Sequence, residues 1–196
     1  MSPEPGLRVV VIGASLGGLD AFGTISSQLP ADFAAAVVFV QHRRPGPLSA
    51  LADILARHSA LPVTEPDSHD PLERGRVYLA PSDYHLMIDN GRFELSCDGV
   101  VKWARPSIDV LFEAAAREYG ARVAGVLLTG ASEDGAAGLE TIAKAGGLTI
   151  VQDPDTAESP IAVRAALARF KPDAVLPIPA IAGALEAWVS APMETR

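Results

Sequence analysis

Arg8-Val9-Val10-Val11-Ile12-Gly13-Ala14-Ser15-Leu16-Gly17-Gly18 is followed by the apolar-periodic stretch Leu19 to Leu29. A β-branched run that is apolar on both pleat faces reads as a strand covered on both sides, and the glycines and helical period after it read as a tight turn and a helix. The alternation continues. Ala36 to Gln41 reads as a strand and, beyond Pro45-Gly46-Pro47, Leu48 to His58 as a helix. Later come strand Ala124 to Leu128, turn Thr129 to Gly135 and a helix to Ala145, then strand Leu148 to Val151, a helix around Ala162 to Phe170, strand Ala174 to Pro177 and helix Ile178 to Val189. Continuously apolar strands alternating with helices predict an α/β fold, doubly wound, with a mostly parallel sheet and helices on both faces.

The middle of the chain differs. Arg76 to Ala80, Leu86 to Asp89 and Phe93 to Ser96 are short strands joined by Pro81-Ser82-Asp83 and Asn90-Gly91. Asn-Gly between such runs is a hairpin signal, so an antiparallel hairpin insertion is expected. After Pro106, Ser107 to Tyr119 has helical spacing and ends at Gly120. No repeat or long linker divides the chain, so residues 1–196 are expected to form one domain with its core over about 8–190, and Pro192 to Arg196 a frayed tail.

Composition narrows the function. With 24 Asp+Glu against 16 Lys+Arg the formal charge is −8, and the densest basic cluster is the pair Arg43 and Arg44. That balance opposes phosphate backbones and anionic lipid, which excludes nucleic acid as the expected partner. Hydrophobic residues at 48% can fill a core, whereas the longest apolar run near the amino terminus, Val9 to Ile12, is far too short to span or enter a membrane. The single cysteine, Cys97, allows no internal disulfide and fits a reducing compartment. A cytoplasmic protein with no cofactor and no metal is expected: the four histidines lack ligand spacing and no H-E-x-x-H occurs.

Parallel sheets bind ligands beyond the carboxyl ends of their strands. There the sequence delivers Ser15 after the first strand, His42 after the second, and Thr129 to Asp134 after a later one. Ser15 at a strand-to-helix elbow could be a nucleophile, with the Leu16 N–H as an oxyanion donor, or it could be only a helix N-cap. A phosphate-binding loop fits poorly, because the second glycine position of G-x-G-x-x-G holds Ser15 and no G-x-x-x-x-G-K-[ST] occurs. His42, directly after a buried strand, is a candidate base for the serine hydroxyl. His85 is the alternative base, while His58 and His69 read as solvated. Asp134 either orients the imidazole or caps the next helix. Asp109 is the rival acid, expected to add a few tenths to about 1 kcal/mol to its own helix through the dipole, and Glu133 is a weaker rival.

Taken in series, Gly13-Ala14-Ser15-Leu16-Gly17-Gly18, Gln41-His42, Arg105-Pro106-Ser107-Ile108-Asp109, Leu128-Thr129-Gly130 and Asp134-Gly135-Ala136 resemble the catalytic domain of chemoreceptor protein-glutamate methylesterases of the CheB type, over about Val9 to Val189. The resemblance implies a serine hydrolase that removes methyl groups from glutamate γ-methyl esters on the cytoplasmic domains of chemotaxis receptors or related signalling proteins, and in many members deamidates receptor glutamines. It places Ser15 as nucleophile, His42 as base, Asp134 as acid and Ala131 where a backbone N–H joins the oxyanion hole. Leu16 departs from the usual threonine, Pro81 to His85 from a glycine-richer loop, and Ser159 to Arg164 lacks the usual Met-Pro pair. Typical members carry a phosphorylatable receiver domain ahead of this region, and the short stretch before the first strand leads to the expectation that none is present here. The competing reading is a catalytically weak homologue that binds a receptor or signalling partner through the same cleft.

Overall fold

The computed structural model describes residues 4–43 and 50–192. Nine strands, β1 (Arg8–Ala14), β2 (Ala35–Gln41), β3 (Val63–Thr64), β4 (Val77–Leu79), β5 (His85–Asp89), β6 (Arg92–Ser96), β7 (Val123–Leu127), β8 (Leu148–Gln152) and β9 (Ala174–Leu176), are found among these residues. They alternate with α1 (Gly18–Gln28), α2 (Ala50–Ala56), α3 (Ile108–Tyr119), α4 (Ala136–Lys144), α5 (Ile161–Arg169) and α6 (Ile178–Ser190).

Seven strands form one parallel sheet in the order β3-β4-β2-β1-β7-β8-β9. Every residue of β1 is buried, Arg8 included, and the apolar run that follows Arg8 suits a central strand with layers on both faces. The pleat sorts the side chains. Val9 and Val11 join the core under α3, α4 and α5, whereas Val10, Ile12 and Ala14 join the core under α1 and α6. On the latter side Phe22 of α1 stacks on Phe39 of β2 with ring centroids 4.3 Å apart. From β1 the chain passes to β2, then to the edge strand β3 and back to β4 between them, and later lays β7 on the other side of β1. Strand order reverses at β1, so the crevice beyond its carboxyl end is the natural ligand site.

The insertion is the expected hairpin: β5 and β6 pair antiparallel around Asn90-Gly91, both at positive φ. Its inner residues Leu86, Ile88 and Phe93 share a core with Leu111 and Phe112 of α3, so the hairpin is built into the fold. The two-residue edge strand β3 was not read from the sequence, because a pair of residues carries no periodicity. Helix α2 ends at Ala56, two residues short of the expected end, and the expected start of that helix, with Pro45-Gly46-Pro47, lies outside the described residues, as do residues 193–196 of the expected tail. No helix among the described residues is long and apolar enough to cross a membrane.

Candidate active site

Pairing of Ala14 with Gln41 at the ends of β1 and β2 makes Ser15 and His42 neighbours across a parallel pair. His42 donates its backbone N–H to Ala14 O at 3.2 Å, and Ser15 donates its own to Thr129 O, beyond β7, at 2.9 Å. The Gln41 side chain donates to Ser15 O at 2.6 Å. The end of β2 and the loop after β7 thus fix the backbone at Ser15, while its hydroxyl makes no hydrogen bond among the described residues. The N-cap of α1 is Gly17, at φ 79° and without a side-chain cap bond, so Ser15 is not the helix cap. Glycine is required at 17 twice over: the backbone is left-handed, and a Cβ would lie 2.5 Å from Glu158 Oε2.

Around the hydroxyl, the N–H groups of Leu16 and Ala131 carry no hydrogen bond among the described residues. The loop bearing Ala131 abuts Ser15: a Cβ added to Gly130 would sit 3.3 Å from Ser15 Cβ. Thr129 Oγ1 donates to Leu16 O at 2.8 Å and accepts from Ser159 N at 2.9 Å, and Ser159 Oγ donates to Gly130 O at 3.1 Å. Ser159 therefore ties this loop down.

His42 Nε2 lies 2.7 Å from Asp134 Oδ2. Asp134 is fully buried and accepts three more hydrogen bonds: from Ser107 Oγ at 2.8 Å, Ile108 N at 2.7 Å and Asp109 N at 3.2 Å. Burial pushes its carboxyl up, but the bonds from His42, Ile108 and Ser107 outweigh it and hold the group below the usual carboxylate range. An ionised carboxylate only accepts, so Nε2 carries the proton and Nδ1 keeps a lone pair with no hydrogen bond among the described residues. Asp134 does not cap the helix that follows it; it receives the free amides at the start of α3.

The rival acid is committed elsewhere. Asp109 Oδ1 accepts from Gly135 N at 2.9 Å and Gly138 N at 2.7 Å, and its Oδ2 pairs with Lys102 Nζ at 2.7 Å. Its role is to anchor the start of α4. His85, the rival base, has both ring nitrogens occupied, Nδ1 accepting from Ser107 N at 3.2 Å and Nε2 donating to Gly99 O at 3.1 Å. Glu133 is exposed. His58 is exposed, and His69 is exposed beside Glu94 at 2.9 Å. Arg43 turns to Glu65 and to Ala80 O at 3.1 Å. The sequence reading missed the positioning roles of Gln41 and Ser107. Their signal was only adjacency, Gln41 before His42 and Ser107 within Arg105-Pro106-Ser107-Ile108-Asp109.

Two shallow clefts meet at His42, one of about 740 Å³ lined by Ser15, Leu16 and Leu19, the other of about 470 Å³ lined by Ser132, Lys102 and Trp103. Among the described residues no group of three His, Cys, Asp or Glu could hold a metal ion.

Residues 10–185 match the family model described as CheB methylesterase. The chain is similar to protein-glutamate methylesterase/protein-glutamine glutaminase 2 of Anaeromyxobacter dehalogenans, 46% identical over 179 residues, and to protein-glutamate methylesterase FrzG of Myxococcus xanthus, 37% identical over 188. These matches cover 91% and 95% of the chain but 52% and 56% of those relatives. The chain thus spans about half their length, and a match to a Leptospira interrogans relative, 41% identical, covers 91% of that protein. The crystal structure of the Thermotoga maritima CheB methylesterase catalytic domain superposes with a TM-score of 0.89 at 33% identity, covering 93% of this chain and 98% of that one. With a family model matched over residues 10–185 and the fold shared with a solved catalytic domain, the chain belongs to the CheB methylesterase family.

Proposed function

We propose that the protein hydrolyses glutamate γ-methyl esters on the cytoplasmic domains of chemoreceptors or related signalling proteins, with Ser15, His42 and Asp134 as its catalytic triad. The observation that carries this reading is the His42–Asp134 pair beside an unbonded Ser15 hydroxyl at the end of the adjacent strand. His42 Nδ1 takes the Ser15 proton as Oγ attacks the ester carbonyl, and the Leu16 and Ala131 N–H groups receive the oxyanion. Asp134 stabilises the imidazolium. Collapse of the adduct breaks the C–OCH3 bond, and the proton on Nδ1 leaves with methanol. Water, deprotonated by His42, then cleaves the acyl-enzyme to give the glutamate carboxylate. The same steps on a glutamine side chain release ammonia. This extends the reading to deamidation, in keeping with the glutaminase in the Anaeromyxobacter relative's name.

The test is methanol release from methyl-labelled receptor membranes, alongside hydrolysis of a simple activated ester. Ser15→Ala should reduce both by about a thousandfold or more. Its unfolding midpoint should stay where it was, since the hydroxyl bonds to nothing among the described residues. Turnover by the variant at the wild-type rate would end the serine mechanism. Tight receptor binding by a wild type that hydrolyses neither ester would favour the binding-module reading.

A further inference from the structure

Val101-Lys102-Trp103-Ala104 is a tight turn built from residues that disfavour it. Val101 and Ala104 exchange both backbone hydrogen bonds, at 3.1 and 2.9 Å, while Lys102 and Trp103 sit in the left-handed region at φ 47° and 66°. Turns with positive φ at both central positions prefer Asn-Gly, which the hairpin uses at Asn90-Gly91, and a bulky side chain there is a conformational outlier. Nothing apolar compensates at position 103, because Trp103 is 94% exposed. The turn is instead fastened from below, Lys102 Nζ reaching Asp109 Oδ2 at 2.7 Å and Glu133 O at 3.3 Å. Those contacts fix it to the α3–α4 junction that also holds Asp134. Strain that persists because its surroundings impose it collects at ligand-binding sites.

Trp103 lines the same cleft as His42 and Ser132, with the exposed Val100 beside it. Resting on the esterase reading above, we propose that Trp103 is a specificity-determining anchor that holds the protein substrate by an apolar side chain next to the esterified glutamate. A rigid indole supplies a large contact area at low entropic cost and is the residue type that most often dominates an interface. The occupant follows from position. A resident partner seated on Trp103 would cover the cleft at His42, so the surface is compatible with turnover only if what covers it brings the ester and leaves with the product.

The experiment compares kcat/KM for methylated receptor and for a small activated ester in the wild type, Trp103→Ala, Trp103→Phe and Trp103→Gly. The receptor-to-small-ester ratio should fall by about tenfold or more in Trp103→Ala, the loss lying in KM, and Trp103→Phe should recover most of it. Trp103→Gly should lose the same ratio yet melt at a higher temperature than the wild type, because glycine relieves the left-handed strain. An unchanged ratio overturns the proposal, and so does a lowered melting temperature in Trp103→Gly with both substrates slowed alike, which would mark the tryptophan as structural. Binding separates this proposal from the esterase reading. In a Ser15→Ala, Trp188→Phe background Trp103 is the remaining tryptophan. Its emission should move to shorter wavelength when a methylated receptor cytoplasmic fragment is added, whether or not the wild type turns over; an unmoved spectrum overturns the proposal.

Discussion

A carboxylate with no exposure survives only if its charge is answered, and Asp134 is answered by a ring nitrogen, a hydroxyl and two backbone amides. Because its hydrogen bonds hold its native pKa below the ordinary carboxylate value of 3.8, Asp134 stabilises the fold above that pH and loses the contribution as pH falls through its lower native value. Asp134→Asn should therefore be less stable than the wild type at neutral pH but show a shallower loss on acidification, measured as urea midpoints from pH 6 to 2. In activity, His42→Ala combined with Asp134→Ala should be scarcely slower than His42→Ala alone, since members of one relay lose function non-additively; multiplying effects would name another acid. Tyr119 is the opposite case. It is buried, its hydroxyl has no partner among the described residues, and burial pushes its pKa up to about 12. Its raised pKa favours the fold below pH 10, and this contribution is lost as pH rises from 10 toward 12. Tyr119→Phe should remove that alkaline loss and, by deleting an unsatisfied polar group, leave the protein at least as stable at neutral pH, by up to about 1 kcal/mol.

At the level of elements, α3 and α4 hold each other by their first turns. Asp134, just ahead of α4, receives the amides that open α3, and Asp109, in the first turn of α3, receives the amides of Gly135 and Gly138 at the start of α4. Local dipole and cap rules offer each aspartate the helix beside it in the chain, because they consider one helix at a time. The crossing of the two bonds is a tertiary fact. It raises the expected cost of Asp109→Ala from a few tenths to about 1 kcal/mol to about 2–3 kcal/mol, since two buried amides and part of a cation's pairing are lost together. Gly138→Ala probes the same junction sterically: a Cβ there would lie 2.6 Å from Phe112 Cβ and 3.0 Å from Asp109 Cα. It should cost about 1–3 kcal/mol in urea unfolding and should also slow ester hydrolysis, because α4 carries Asp134 at its head.

For the molecule as a whole, the sheet was legible because β1 is apolar after Arg8, β2 is apolar up to Gln41 and β7 is apolar throughout, a pattern that a doubly covered strand explains. The hairpin was legible from Asn90-Gly91. Ser15, His42 and Asp134 could be named as candidates because each directly follows a strand or its loop at one rim of the sheet. What stayed hidden were features set by partners distant in sequence: Ser107 on Asp134, Ser159 on the Gly130 loop, and the left-handed Lys102-Trp103 turn, whose residues signal no turn at all.

The crossed aspartates carry a consequence for how the native state opens. The first amides of a helix lack intrahelical acceptors and ordinarily trade their hydrogens with solvent early. Here Ile108 and Asp109 can exchange only if Asp134 lets go, and Gly135 and Gly138 only if Asp109 does, so freeing either pair separates both helix starts. In native-state hydrogen–deuterium exchange these four amides should be slow and share one opening free energy, far above that of the amides opening α1, where no side chain caps the helix. If Gly135 and Gly138 exchanged independently of Ile108 and Asp109, the two helix starts would be opening separately.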